Sequence, residues 1–560
     1  MSKDKIFLNN ILANIEYTRH IIKENDNVNL ITLITGTEID RQRWQNRLES
    51  IAPFIFNLKK ETRILSFQEE TRQGNFLGTI LAYSKIKKIS ADESISYKNK
   101  VVLIGMIFGR GERISPFSQR EANCKAAISS ISTVRADDGQ IKTLTALEEA
   151  LMYFAPLARQ LEKNAFRGIV NKWGDETEIP SIDIIHFEKA GVTADTDIIK
   201  FISQEKITEE SAKEKDWVIY DKNSVMLFQI PRGDIDSIEK ELNKYGVTSL
   251  NDKQKIDRGA FFGISLGPVA VSYRVLDILE EVFDSDVKNN AIYIDFDPYV
   301  LSAFALKGDS VKWQEMLLKD KKLCEFAGHS GMVPDFWEKM NKVRNIFKDK
   351  YARELEIKVI DLGENIYWGD YGQHLAMRRR YLALTENSMN GAISRAIAGL
   401  PETKDARGNI IFNSQISGEV EIENSVVCNS VIMGRGRIES SLLWDSCVND
   451  IEMDRAFCVG SFHSGKLILK KNSGAYKLFG RKSEVFNIEE YGRVSTIFTP
   501  TGRFSINAGE SLNLRDRKNI YSVPVLGNLV SFSELYEMMS KVSSHEIEQW
   551  EMDFKKGLMQ

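Results

Sequence analysis

Apolar positions along the first part of the chain fall into blocks of two alternating textures. "VNLITLIT" (Val28 to Thr35) is a continuous run of the buried-strand type, and "EIDRQRWQNRLESIAPFIF" after it has helical spacing. "ETRILSF" then leads into the glycine-containing "QGNFLGTILAYSKI", and "KVVLIGMIF" into a cationic loop. In "TALEEALMYFAPLARQLEK", Leu147, Leu151, Phe154, Ala158 and Leu161 recur at helical spacing, Thr145 and Glu148 stand as a capping box, and Pro156 is placed to kink the helix. "FRGIVNKWGDETEIPS" reads as a short strand ending in Gly-Asp, and "DWVIYDKNSVMLFQIPR" as a hairpin turning at Asp-Lys-Asn-Ser. Strands alternating with helices predict an α/β fold: a mostly parallel sheet with helices on both faces.

Beyond about residue 400 the helical period is lost. Ile410, Ile416 and Ile422 recur every six residues, as do Ile432 with Ile438 and Leu442 with Val448, with Gly, Asn and Ser between. That recurrence predicts a short β-helix with these residues pointing inward; its register shifts near "ENSVVCNSV". "SFSELYEMMSKVSSHEIEQWEMDFKKG" reads as one final helix. The expected division is 1–95, an N-terminal α/β extension or part of the main sheet; 96–400, a catalytic domain; 405–470, the β-helix; and 471–560, a C-terminal segment.

Composition narrows the class. At 560 residues, 42% hydrophobic and 28% charged, the chain is an ordinary folded protein of more than one domain. A net charge of -4 argues against a non-specific nucleic-acid binder. The longest uncharged apolar stretch, Gly259 to Tyr273, falls short of the ~20 residues of a spanning helix, so no membrane partner is expected. No secretory signal is expected at the N-terminus. Cys124, Cys324, Cys428, Cys447 and Cys458 are scattered without a CxxC pair, which suits reduced thiols in a cytoplasm.

The chemistry concentrates in "FGRGERISPFSQREANCK", positions 108 to 125. A glycine-rich turn after a buried strand lets backbone N–H groups approach phosphate oxygens, and Arg or Lys nearby can neutralise charge that moves during phosphoryl or nucleotidyl transfer. The segment is neither a Walker A loop nor a GxGxxG fingerprint.

These residues resemble the signature of the sugar-1-phosphate nucleotidylyltransferases, the nucleotide-sugar pyrophosphorylases: a Gly-x-Gly-x-Arg core, a Pro three residues on and a Lys downstream, here Gly109, Gly111, Arg113, Pro116 and Lys125. The chain departs from the pattern at Phe108, where the family usually has another Gly, and in a slightly stretched interval from Arg113 to Lys125. The family also uses two aspartates to hold Mg²⁺; "NKWGDE" supplies Asp175 and "IYWGDYGQHLAMRRRYLAL" supplies Asp370. The resemblance implies a Rossmann-like, GT-A-like sheet and a left-handed β-helix after it, with a nucleoside triphosphate and a sugar 1-phosphate as substrates. It implies that Arg113 and Lys125 act on the phosphates and that Gly109, Gly111, Glu112 and Arg113 bind the nucleotide. The flat faces and open ends of a β-helix favour a homo-oligomer.

Other readings stand beside this one. Asp295 and Asp297 in "YIDFDPYV" form the Asp-x-Asp of a metal-dependent glycosyltransferase, or an acidic strand end. His463 lies where acyltransferases of the β-helix fold keep a histidine, and reads as structural. Arg378 to Arg380 read as a solvated helix face. Gln73 to Tyr83 reads as a helix start packed through its glycines, with a second phosphate-facing loop as the alternative. A non-catalytic nucleotide-sugar sensor or scaffold of the same fold is the reading from a different class.

Overall fold

Burial explains the first strands: every residue of Leu30–Thr35 and of Val101–Ile107 is buried, as continuous apolar runs require when a sheet is covered on both faces. A computed structural model of the chain describes residues 3–24, 26, 28, 30–56, 63–69, 73–93, 97–107, 109, 111–136, 139–185, 187, 191–205, 207–244, 260–288, 294–306, 311 and 333–559. Phe108 and Cys324 lie outside them. Before the C-terminal region the strands are β1 (Leu30–Thr35), β2 (Arg63–Gln68), β3 (Val101–Ile107), β4 (Ser129–Arg135), β5 (Ile141–Thr145), β6 (Gly168–Trp173), β7 (Glu176–Ile179), β8 (Ile198–Gln204), β9 (Trp217–Asp221), β10 (Met226–Ile230), β11 (Ala260–Ser272), β12 (Ile357–Glu364) and β13 (Tyr367–Asp370). The main helices are α1 (Lys3–Glu24), α2 (Glu38–Ile55), α3 (Gly74–Glu93), α4 (Ala146–Lys163), α5 (Tyr273–Lys288), α6 (Val333–Tyr351), α7 (His374–Ala383), α8 (Met389–Ala398), α9 (Phe532–Met539) and α10 (Ser544–Met559).

The chain divides into two compact units, one of Met1–Met106, Phe154–Trp173 and Ile179–Ile366, the other of Ile107–Tyr153, Gly174–Glu178 and Tyr367–Gln560. The first is built on a nine-stranded sheet of order β10-β9-β11-β6-β3-β1-β2, with β8 also on β11 and β12 on β8. β1 and β2 therefore extend the main sheet. Pairing is parallel in β1 with β2, β3 with β6 and β8 with β12, whereas β11 runs antiparallel to β6, β8 and β9. The fold is a mixed α/β sheet, rich in parallel pairs and less uniform than the alternation of elements predicts. β9 and β10 form the expected antiparallel hairpin. α4 starts at the predicted capping box, with Thr145 N donating to Glu148 Oε2 at 2.7 Å, and continues through Pro156 with Leu147, Leu151, Phe154, Ala158 and Leu161 all buried.

The second unit is dominated by short parallel strands in three stacked ladders. One pairs Ile410, Val426, Leu442, Phe457, Gly474 and Arg493 in turn; another Ile416, Ile432, Val448, His463 and Gly480; the third Ile422, Ile438, Met453, Leu469 and Ile488. The interior cluster takes Ile422, Val427, Ile432, Ile438, Leu443, Val448, Met453 and Cys458, a spacing mostly of five residues with an occasional six. Ile422, Ile432, Ile438 and Val448 point inward as the six-residue reading expects, and it is corrected at Ile410 and at Leu442, whose neighbour Leu443 belongs to the interior cluster. All three residues of Val426–Cys428 and of Leu442–Trp444 are buried, because the first ladder is covered on both faces, so apolarity alone does not mark which residue points inward.

Polar residues close the corners. Asn413, Asn429 and Asp445 hold φ of 48°, 49° and 50°, a left-handed conformation that Asn and Asp tolerate better than most residues. The following serines link coil to coil: Ser430 N donates to Ser414 Oγ at 3.0 Å, Ser446 N to Ser430 Oγ at 3.1 Å and Ser461 N to Ser446 Oγ at 3.0 Å. Each buried donor thereby finds an acceptor in the preceding coil. The C-terminal helix expected as one element is two, because Ser543 and Glu546 form a second capping box: Ser543 N donates to Glu546 Oε2 at 2.8 Å and Glu546 N to Ser543 Oγ at 3.3 Å.

Candidate active site

The cationic loop follows β3 and belongs to the second unit, as do both predicted metal aspartates. Gly109 and Gly111 hold φ of +103° and +60°, where side chains are strained. A Cβ on Gly111 would also stand 2.7 Å from Ser118 Cβ and 3.3 Å from Lys125 Cβ, so the turn closes this tightly only with glycine. Glu112–Ile114 forms a single 3-10 turn, and the Ser115–Pro116 peptide is cis. Lys125 begins a second such turn.

Asp175 occupies the tight turn between β6 and β7, and Asp370 ends β13, the partner of β7 in a two-stranded sheet. Lys125 Nζ donates to Asp175 Oδ2 at 2.7 Å, with the lysine side chain 17% exposed, more buried than its loop position predicts. The groups converge on Gly372, where an added Cβ would stand 2.9 Å from Asp370 Oδ1, 3.1 Å from Asp175 Oδ2 and 3.5 Å from Arg113 Nη2. Arg113 is exposed. Arg113, Lys125, Asp175 and Asp370 thus come from three separate stretches of sequence to one place.

Electrostatics there are unbalanced. Burial, and then the neighbouring charge of Asp175, push the Asp370 carboxyl above its ordinary value, while Arg113, Lys125 and the Gly372 N–H pull the other way. Two carboxylates that repel each other across a small gap offer the hard oxygen donors that Mg²⁺ takes, usually one or two alongside substrate phosphates. Among the described residues no cluster of three or more His, Cys, Asp or Glu side chains is placed to hold a metal. The aspartate pair fits an ion completed by phosphate oxygens.

Buried polar contacts that the sequence did not reveal hold this arrangement. Tyr371 N donates to Asp175 O at 3.0 Å, joining the two aspartate strands directly. Glu149 accepts from Thr177 Oγ1 and Ser132 Oγ, each at 2.7 Å, and pairs with the buried Arg380, whose guanidinium lies over the rings of Tyr367 and Tyr371. One carboxylate therefore ties down β7 near Asp175 and, through Arg380, the rings flanking Asp370. His374 Nε2 lies 2.8 Å from Ser115 O, at the neck of the loop, and burial lowers its pKa to about 3. The only hint in the sequence is the density of polar and aromatic residues in "GDYGQHLAMRRRY".

The remaining candidates have other partners. Arg378 is engaged by Glu510 and Arg380 is buried, so the arginine run is not a solvated face. Asp295 Oδ1 accepts from Asn75 N at 2.8 Å at the start of α3, which makes Gln73 to Tyr83 a packed helix start. Asp297 pairs with the fully buried Lys200. His463 is buried, its Nδ1 accepting from Gly465 N at 2.9 Å, and burial lowers its pKa.

No family model and no curated protein matches the chain. Among solved structures it is similar to a mannose-1-phosphate geranyltransferase from Thermus thermophilus, at 13% identity over 60% of this chain and 88% of that one with a TM-score of 0.24. It is also similar to a protein from Bacillus anthracis assigned as a glucose-1-phosphate thymidylyltransferase, in complex with a sucrose, at 8% identity over 62% and 92% with a TM-score of 0.19. Likenesses this low carry no argument, and the functional reading rests on the residues themselves.

Proposed function

We propose that the chain is a sugar-1-phosphate nucleotidylyltransferase, joining a nucleoside triphosphate to a sugar 1-phosphate and releasing pyrophosphate. The observation that carries this is the convergence of Arg113, Asp175 and Asp370 on Gly372, with Lys125 paired to Asp175. In this reading an oxygen of the sugar phosphate attacks the α-phosphorus, the bond to the β-phosphate breaks, and pyrophosphate leaves with the electron pair. Gly109 and Gly111 let backbone N–H groups face the phosphates, and exposed Arg113 meets the charge of the triphosphate. Asp175 and Asp370 would hold Mg²⁺, which would supply charge neutralisation at the transferring phosphate. Lys125, held at Asp175, would offer its ammonium to a phosphate oxygen.

The stacked coils read, in the same proposal, as a left-handed β-helix, and the free thiols Cys124, Cys428, Cys447 and Cys458 suit a cytoplasmic setting. Among the described residues no helix is long and apolar enough to cross a membrane. The test is pyrophosphate release by the purified protein with Mg²⁺, using pools of nucleoside triphosphates against pools of sugar 1-phosphates. Release that requires both pools and is lost in Lys125→Ala supports the reading. Nucleotide binding without release across broad pools overturns it in favour of a sensor.

A further inference from the structure

The slightly stretched interval from Arg113 to Lys125 contains a backbone feature of its own. Ala122 and Asn123 stand in succession in the left-handed region, at φ of 54° and 64°. Left-handed residues other than glycine usually occur singly, and the alanine side chain gains nothing there. Such a pair persists where its surroundings hold it, and strain of this kind collects at functional sites. Here it leads through Cys124 directly into Lys125.

The C-terminal segment supplies the hold. Asn123 Nδ2 donates to Tyr536 O at 2.8 Å, a carbonyl in the last turn of α9, where donors within the helix run out. Ala122 packs against an apolar cluster that includes Tyr521, Phe532, Leu535 and Met539. Just upstream, Gln119 Nε2 donates to Tyr521 Oη at 3.3 Å and buried Arg120 pairs with Glu551 of α10. The segment thus grips Gln119, Arg120, Ala122 and Asn123 in turn. Cys124 N then donates to Glu121 O at 3.1 Å, and the chain enters the turn that Lys125 opens, with Lys125 Nζ at Asp175.

We infer that the C-terminal segment, whose role the sequence leaves open, is a template for Lys125, and that Asn123 is its positioning residue. By gripping Tyr536 O, Asn123 keeps the left-handed pair folded and the Lys125 ammonium where it meets Asp175. A reacting phosphate then finds the ammonium already in place, so less ordering is left to the chemical step. The consequence for turnover rests on the nucleotidyl-transfer reading, whereas the placement of Lys125 can be measured without it.

The test acetylates the full-length protein with N-hydroxysuccinimidyl acetate, without substrate, and follows Lys125 by peptide mass spectrometry against exposed Lys482 as the reference. Asn123→Gly removes the grip while a glycine holds φ of 64° without strain, so the side chain alone is tested. It should speed acetylation of Lys125 about three- to tenfold, the local opening expected from one lost hydrogen bond, with Lys482 unchanged. In the pyrophosphate assay the same variant should lower kcat about tenfold and keep KM for the nucleotide within about twofold. Ser388→Ala, which removes the cap of α8 and none of these contacts, should lower the melting temperature and leave Lys125 acetylation as it was. A wild-type rate at Lys125 in Asn123→Gly, or the same acceleration in Ser388→Ala, overturns the inference while the proposed function stands. Faster acetylation with kcat unchanged overturns the positioning role. Faster acetylation with no pyrophosphate release even from wild type keeps the template and overturns the proposed function. If Asn123→Gly does not fold by its melting curve, Asn123→Asp decides, since it keeps size and tolerates the turn but sets an acceptor against Tyr536 O: faster acetylation supports the inference and a wild-type rate overturns it.

Discussion

Two pairs of aspartates invite comparison. Asp295 and Asp297 are neighbours in sequence, but each is engaged by a different group: the Asn75 N–H for one and the buried Lys200 ammonium for the other. Asp175 and Asp370 are far apart in sequence, yet both approach Gly372, and the charge of Asp175, although it is paired with Lys125, still raises Asp370. A carboxylate satisfied by a helix start or a buried cation stabilises the fold. Two that face each other cost stability, and such arrangements collect at functional sites. Spacing along the chain is therefore a poor guide to which acidic residues the fold brings against each other.

Exchanging the lysines breaks the comparison most sharply. Lys125→Ala should lower pyrophosphate release about 10²- to 10³-fold, beyond any loss of stability from leaving Asp175 without its cation. Lys200→Met should instead destabilise the first unit by about 3–5 kcal/mol, because it leaves Asp297 partly buried without its cation, as denaturant unfolding would reveal. Equal effects of the two on turnover would erase the distinction.

Asp370→Asn comes next. The raised pKa of Asp370 means that its proton binds more tightly in the folded chain than in the unfolded one, a contribution that favours the fold at low pH and is lost as pH rises through the raised value. The variant should therefore melt higher than wild type at pH 8 without metal, match it at pH 4, and lose its Mg²⁺-dependent activity. His374 gives the opposite slope. Its pKa falls from 6.5 to about 3, so the unfolded chain takes a proton that the folded one refuses, and stability drops as pH falls between those values. His374→Gln should flatten the melting temperature across that window. The smallest effect belongs to Asp295→Asn, which weakens one contact at the start of α3; a loss of about 1 kcal/mol is expected, with pyrophosphate release unchanged.

Much of this was legible. The run before the loop, Gly109, Gly111, the capping box of Thr145 and Glu148, and the Gly174–Asp175 turn follow from residue type and local order. The inward face of the stack was read one residue off at Leu442 because Val426–Cys428 and Leu442–Trp444 are apolar on both faces, so alternation is invisible. Glu149 and Arg380 escaped because their partners lie far away in sequence. A charged residue gives no local sign of whether it is solvated or paired.

The stacked coils also act as a ruler. Trp444, Phe457 and Tyr476 stand on three successive strands of the first ladder, each separated from the next by the strand spacing of about 4.8 Å. Each rung grips a different element: Trp444 Nε1 donates to Thr143 Oγ1 of the β4–β5 hairpin, Phe457 packs on Tyr381 of α7, and Tyr476 on Phe117 of the cationic loop. Repeat arrays usually tolerate gain or loss of a coil, since each coil meets only its neighbours. Here an extra coil among these three would carry the hairpin, the helix and the loop out of step by one rung, so the number of coils is fixed by the elements they gauge.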